Sequence, residues 1–188
     1  MGMKYSRAMV VACLVGLWVS LAGGGVNAAD FTLEQEVKAG RSYVDAFVAR
    51  YGVSESPGHK ILAEEVLQEL ARASGERPEL QWRVVVLKHH PENPVARNAS
   101  AFPGGHIVTD DEFFRVLTAG AGGSLERVRA MLAGVLAHEM AHVIRHDTDA
   151  LVQLYLNGKT DDAPKLLFTL KSREGAAKEN ASETRVKE

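Results

Sequence analysis

The amino-acid sequence predicts a helix-rich α+β protein, in which a small sheet packs beside one long central helix. Residues 32–51 and 125–146 repeat apolar side chains at the three- and four-residue spacings of amphipathic helices. Residues 81–88 instead alternate, as is typical of a half-buried strand. A chain of 188 residues has room for one domain with its own core.

The N-terminus predicts a signal peptide. Lys4 and Arg7 precede an apolar run that starts at Ala8, and small residues then lead to Ala28. This order of basic, apolar and small residues is typical of a segment that is removed after export. We therefore expect cleavage to remove residues 1–28.

Cleavage would leave a domain of residues 29–188, located in the periplasm or secreted. Residues 8–26 also approach membrane-spanning length, so the alternative is a domain anchored to the membrane by this segment. Cys13 is the only cysteine and lies in that run. A cleaved protein therefore has neither a disulfide nor a thiolate ligand, and any metal must be bound by His, Glu or Asp.

The composition excludes one broad class of partner. A hydrophobic content of 46% and a charged content of 24% are ordinary for a globular domain. The formal charge of -2 lacks the basic surplus with which proteins bind phosphate backbones. We expect no nucleic-acid partner.

Turn residues divide the first half of the domain into separate elements. Thr32 can cap the first helix, and Pro57 with Gly58 should separate it from the second. In chain order we expect a helix over 32–51, a helix over 59–73, a strand over 81–88, a proline-rich loop over 91–105 and a short strand over 106–109.

The short strand His106–Thr109 offers a place for a polypeptide substrate, because an extended peptide can pair with an open sheet edge. His106 itself is expected to be a surface strand histidine. His89 and His90 should be structural or solvated, since neighbouring strand residues point to opposite faces.

The second half of the chain reads as helical. Asp110 and Asp111 can start a third helix, and Ser124 can cap a long helix that runs to about His146. The apolar side of this long helix predicts that it is buried in the centre of the domain. Further expected elements are a helix over 148–156, a helix over 161–170 and a charged tail or final helix over 171–188.

The long helix carries the pattern H-E-x-x-H at His138, Glu139 and His142. The two histidines lie one helical turn apart, so both imidazoles can bind one zinc ion, while Glu139 can act as a base. His146 lies about 12 Å further along a helix than His138, so a structural or supporting role is favoured for it. Asp147 and Asp149 are weaker candidates for a third ligand.

Two further segments give these residues a family context. Asn98 to Ile107 reads N-A-S-A-F-P-G-G-H-I, and the first helix contains Glu34-Gln35-Glu36 and Ala39-Gly40-Arg41. Together with the H-E-x-x-H helix, they resemble gluzincin peptidases, which include the CAAX prenyl endopeptidases, the heat-shock protease HtpX and periplasmic proteases of β-barrel assembly quality control.

The resemblance implies a zincin-like domain with one zinc ion per chain, which hydrolyses peptide bonds of unfolded or misassembled envelope proteins. In that family the third ligand is a glutamate in a later E-x-x-A-D motif. Glu179 is the closest match here, followed by Glu183 and Glu174. Because none of them fits the motif fully, the alternative is a non-catalytic assembly or chaperone-like factor with an incomplete zinc site.

Overall fold

The computed structural model describes residues 31–159, and helices dominate this part of the chain. The helix-rich α+β prediction is confirmed. The elements are α1 (Leu33–Tyr51), α2 (Pro57–Ser74), β1 (Arg83–Leu87), β2 (Ala99–Phe102), β3 (His106–Asp110), α3 (Asp111–Gly120), α4 (Leu125–Ile144) and α5 (Asp149–Leu156). The predicted signal peptide, the helix over 161–170 and the tail over 171–188 lie outside the described residues.

Side-chain caps fix where the helices begin. Thr32 accepts a hydrogen bond from the Gln35 backbone, and the Gln35 side chain returns one to the Thr32 backbone. Ser56 caps α2, which therefore starts at Pro57 and not at residue 59 as predicted. Pro57 occupies the first turn, where its missing N–H is not needed, so it begins the helix instead of separating two elements.

The sheet contains a strand that the sequence did not predict. Its order is β1-β3-β2, with β1 parallel and β2 antiparallel to the central strand β3. The predicted loop over 91–105 thus contains the edge strand β2. His106–Thr109 is paired on both sides, so the sheet edge near it belongs to β2.

Both faces of the sheet are covered. On one face, Trp82 and Val86 belong to a core cluster with Leu132 and Leu136 of α4. On the other face, Leu87 belongs to a second cluster, which contains Tyr43, Phe47, Phe102, Val108 and Leu151. The predicted strand is present as β1, in which Arg83 is exposed, Val84 and Val85 are partly buried, and Val86 and Leu87 are buried. Leu132 and Leu136 are fully buried, which confirms the central position of α4.

Glycines allow α1 to touch the loop that joins β2 to β3. A Cβ atom on Gly40 would lie 1.8 Å from the Pro103 carbonyl oxygen. Gly104 has a φ of 71°, and a Cβ there would lie 2.6 Å from Val37 Cα. Only glycine permits such close backbone approach, so this contact fixes the position of β2 relative to α1.

Among residues 31–159, no helix combines the length and the apolar character needed to cross a membrane.

Candidate metal centre

The two histidines of the H-E-x-x-H pattern meet at the exposed end of α4. His138 Nε2 and His142 Nε2 are 3.1 Å apart, and the two rings are nearly perpendicular. Two nitrogens bound to one tetrahedral zinc ion at about 2.0–2.1 Å lie roughly 3.3 Å from each other. The observed separation therefore fits two ligands of a single ion.

Glu139 is held against the sheet. Its side chain is only 8% exposed, and its Oε2 accepts a hydrogen bond of 2.8 Å from the Ala101 backbone N–H in β2. A buried carboxylate held by a backbone donor has a defined orientation. Sequence reasoning did not find this partner, although Ala101 belongs to the N-A-S-A-F segment that carried the family resemblance.

Asp147 lies on the far side of the His142 ring. Its Oδ2 is 2.9 Å from His142 Nδ1, whereas His142 Nε2 points toward His138. Asp147 thus supports His142 and does not share an ion with it in this arrangement. Asp149 lies beside His146 instead, with 3.4 Å between Oδ1 and Nδ1, so neither aspartate is a ligand candidate at the two facing Nε2 atoms.

A second group of charges lies beneath the loop at Gly104. Glu36 is 3% exposed, accepts a hydrogen bond from the Gly104 N–H at 3.1 Å, and pairs with Arg77 at 2.8 Å. Burial raises the pKa of Asp149, while His146 opposes this rise. Glu36 and Arg77 thus connect α1 with the segment that follows α2 and with the loop at Gly104.

The other histidines have structural contacts. His106 is partly buried at the start of β3, and its Nδ1 lies 3.0 Å from the Pro103 carbonyl oxygen. Burial lowers the pKa of His106. His89 pairs with the buried Asp110, and His90 lies beside the Tyr51 ring.

Within residues 31–159, no three His, Cys, Asp or Glu side chains are grouped so as to hold a metal. This part of the chain therefore supplies a pair of imidazoles and not a complete ligand set. The predicted third ligand, Glu179, and its rivals Glu183 and Glu174 lie outside the described residues.

A pair of imidazoles on a buried helix, with a carboxylate between that helix and a sheet edge, is the arrangement expected of an H-E-x-x-H metallopeptidase. Comparison with known families agrees, since residues 60–180 match Peptidase family M48. This match covers more than half of the chain, so the protein belongs to that metallopeptidase family. No curated protein matches the sequence at a significant level.

Proposed function

We propose that the protein is a zinc-dependent endopeptidase that hydrolyses peptide bonds of unfolded or misassembled envelope proteins. The observation that carries the proposal is the 3.1 Å separation of His138 Nε2 and His142 Nε2, with Glu139 on the next residue of the same helix. Membership of a metallopeptidase family supports the reaction class. The zinc ion, the endopeptidase action and the envelope substrates are the proposed refinements.

His138 and His142 would hold the zinc ion together with a third ligand, for which Glu179 is the first choice. When bound, the ion supplies a Lewis acid and lowers the pKa of a water molecule to about 7. Glu139 accepts a proton from the attacking water and later donates it to the nitrogen of the leaving amine. The Ala101 N–H holds the Glu139 carboxylate in position for both transfers.

The substrate would lie extended along the outer edge of β2. This strand ends the sheet, and its Ala101 N–H already reaches Glu139. A polypeptide paired with β2 would therefore place its backbone beside the proposed base. An unfolded segment suits this edge because it can adopt the extended conformation without losing native structure.

We also place the mature protein in the periplasm or outside the cell. This part of the proposal is supported by the N-terminal sequence alone, in which basic, apolar and small residues follow one another up to Ala28. Cell fractionation with N-terminal sequencing of the purified protein tests it. A start at residue 29 in the soluble envelope fraction is expected, whereas an intact N-terminus in the membrane fraction would support the anchor formed by residues 8–26.

The decisive experiment compares Glu139→Gln with the unmodified full chain. Cleavage of casein should fall at least about a hundredfold because the variant lacks the proton acceptor, while zinc content stays at one ion per chain. Glu126→Gln changes an exposed glutamate on the same helix and should keep full activity. A Glu139→Gln protein that still cleaves casein, or that loses its zinc, would contradict the role of Glu139.

Elemental analysis of three further variants identifies the third ligand. Changing Glu179, Glu183 or Glu174 to Ala should remove zinc in one case, with Glu179 expected. An unmodified protein that binds unfolded casein without zinc and without cleavage would instead support the non-catalytic alternative.

A further inference from the structure

The helix α4 ends in a turn whose left-handed residue is not glycine. The Asp147 N–H donates to the His142 carbonyl at 2.9 Å, and the His146 N–H donates to the Val143 carbonyl at 3.1 Å. These two bonds define a Schellman motif, in which the residue after the cap adopts the left-handed conformation. That residue is His146, with a φ of 62°. The turn directs the chain back over the last helical turn, where His142 lies.

Glycine is the usual residue at this place, because it has no Cβ atom to be crowded in the left-handed conformation. In this turn the Nδ1 of His146 lies 3.4 Å from the Oδ1 of Asp149. Asp149 is only 9% exposed, so the side chain of His146 lies against a buried carboxyl group.

The turn presents the Asp147 carboxylate to His142. An ionised carboxylate only accepts hydrogen bonds, so the 2.9 Å contact requires His142 Nδ1 to carry the proton. A neutral imidazole with this proton has its lone pair on Nε2, the atom that faces His138. Asp147 therefore binds His142 twice, through its backbone N–H and through its side chain.

We propose that Asp147, presented by the left-handed turn at His146, is the positioning residue for the metal ligand His142. It fixes the orientation of the ring and the nitrogen that carries the proton, so that Nε2 is ready to bind a metal ion. The inference rests on the proposed function, because it assigns His142 to a zinc site. It adds a residue that the H-E-x-x-H pattern does not contain.

Zinc affinity, measured on the full chain by competition with a chromophoric chelator, tests the proposal. Asp147→Ala should weaken zinc binding about 10- to 100-fold. Asp147→Asn keeps an oxygen acceptor for the Nδ1 proton and should recover most of that loss. Asp45→Ala, which removes an exposed carboxylate on α1, is the matched control and should leave the affinity unchanged.

Two variants of His146 distinguish the effect of the left-handed backbone conformation from the effect of the histidine side chain. His146→Gly keeps the left-handed conformation, so the affinity should stay within about twofold. His146→Val makes that conformation unfavourable and should weaken zinc binding although Asp147 is intact. Equal affinities of the glycine and valine variants would contradict the role of the turn.

A measurement on the unmodified protein does not depend on how well a variant folds. In the zinc-loaded protein, proton NMR should show a slowly exchanging imidazole N–H that is absent from His142→Gln. Absence of this signal, an Asp147→Ala protein that binds zinc like the unmodified chain, or a failure of Asp147→Asn to recover affinity would each overturn the inference. An unmodified protein without zinc affinity would overturn the proposed function itself.

Discussion

Substitution of Gly40 by alanine tests the contact that positions β2. The new Cβ would start 1.8 Å from the Pro103 carbonyl oxygen, whereas real Cβ atoms essentially never approach closer than 3.0 Å. The helix and the loop must therefore separate by about 1.2 Å, the difference between these two distances. The obstructing atom belongs to the backbone, so no side-chain rotation relieves the clash.

Overpacking of this kind costs about 1–3 kcal/mol, and the clash at Gly40 places the cost at the upper end of the range. Alanine has a better helix propensity than glycine, and this offsets about 1 kcal/mol of the destabilisation. The net loss of about 2 kcal/mol corresponds to a decrease in Tm of roughly 4–8 °C. Peptidase activity should decrease as well at temperatures where the protein is folded, because β2 carries the Ala101 N–H that holds Glu139.

Gly134 provides the matched control for thermal unfolding. It lies in α4, and a Cβ there meets no atom within 4 Å. Gly134→Ala should therefore raise the free energy of unfolding by about 0.5–1 kcal/mol. A Gly40→Ala protein that unfolds at the same temperature as the unmodified chain, or higher, would refute the claim that α1 and the Pro103 loop are in direct backbone contact.

Two further predictions concern buried charge. Arg77→Ala should lower the free energy of unfolding by about 3 kcal/mol in urea denaturation, because Glu36 is left buried without its cation. The control Lys38→Ala breaks a pair with Glu34 in which both side chains are exposed, so it should shift the midpoint little. Equal effects of the two substitutions would contradict the importance of burial. The pKa of His106 in the folded protein lies below its ordinary value of 6.5. As the pH falls below 6.5, the unfolded chain therefore binds a proton at this residue more readily than the folded protein does. The free energy of unfolding should decrease in that pH range. His106→Gln should therefore reduce the difference in unfolding free energy between about pH 7.5 and pH 5.5, and an unchanged difference would assign the pH dependence to other groups.

The sequence predicted most helices because helices are defined by local signals. Thr32 and Ser124 each accept a hydrogen bond from a backbone N–H three residues ahead, and the apolar spacing behind them is visible without any tertiary information. The proline at position 57 was misread because it can either end an element or begin one. Its meaning depends on Ser56, which acts as the cap.

The edge strand β2 could not be predicted in the same way. Ala99–Phe102 is short and contains no β-branched residue, so its strand conformation comes from pairing with β3. The end of α4 was misplaced for a related reason. The left-handed residue is His146 and not glycine, so the sequence lacks the usual signal for a helix end, and the partnership of Asp147 with His142 follows only from that turn.

Two structural supports position different side chains of the candidate site. The contact between Gly40 and Pro103 positions β2, and through Ala101 it orients the carboxylate of Glu139. The turn at His146 positions Asp147, which orients the imidazole of His142. One support therefore governs the proposed proton transfer and the other the proposed metal binding. Glu36 strengthens the first of these supports, because it accepts a hydrogen bond from the Gly104 N–H and pairs with Arg77.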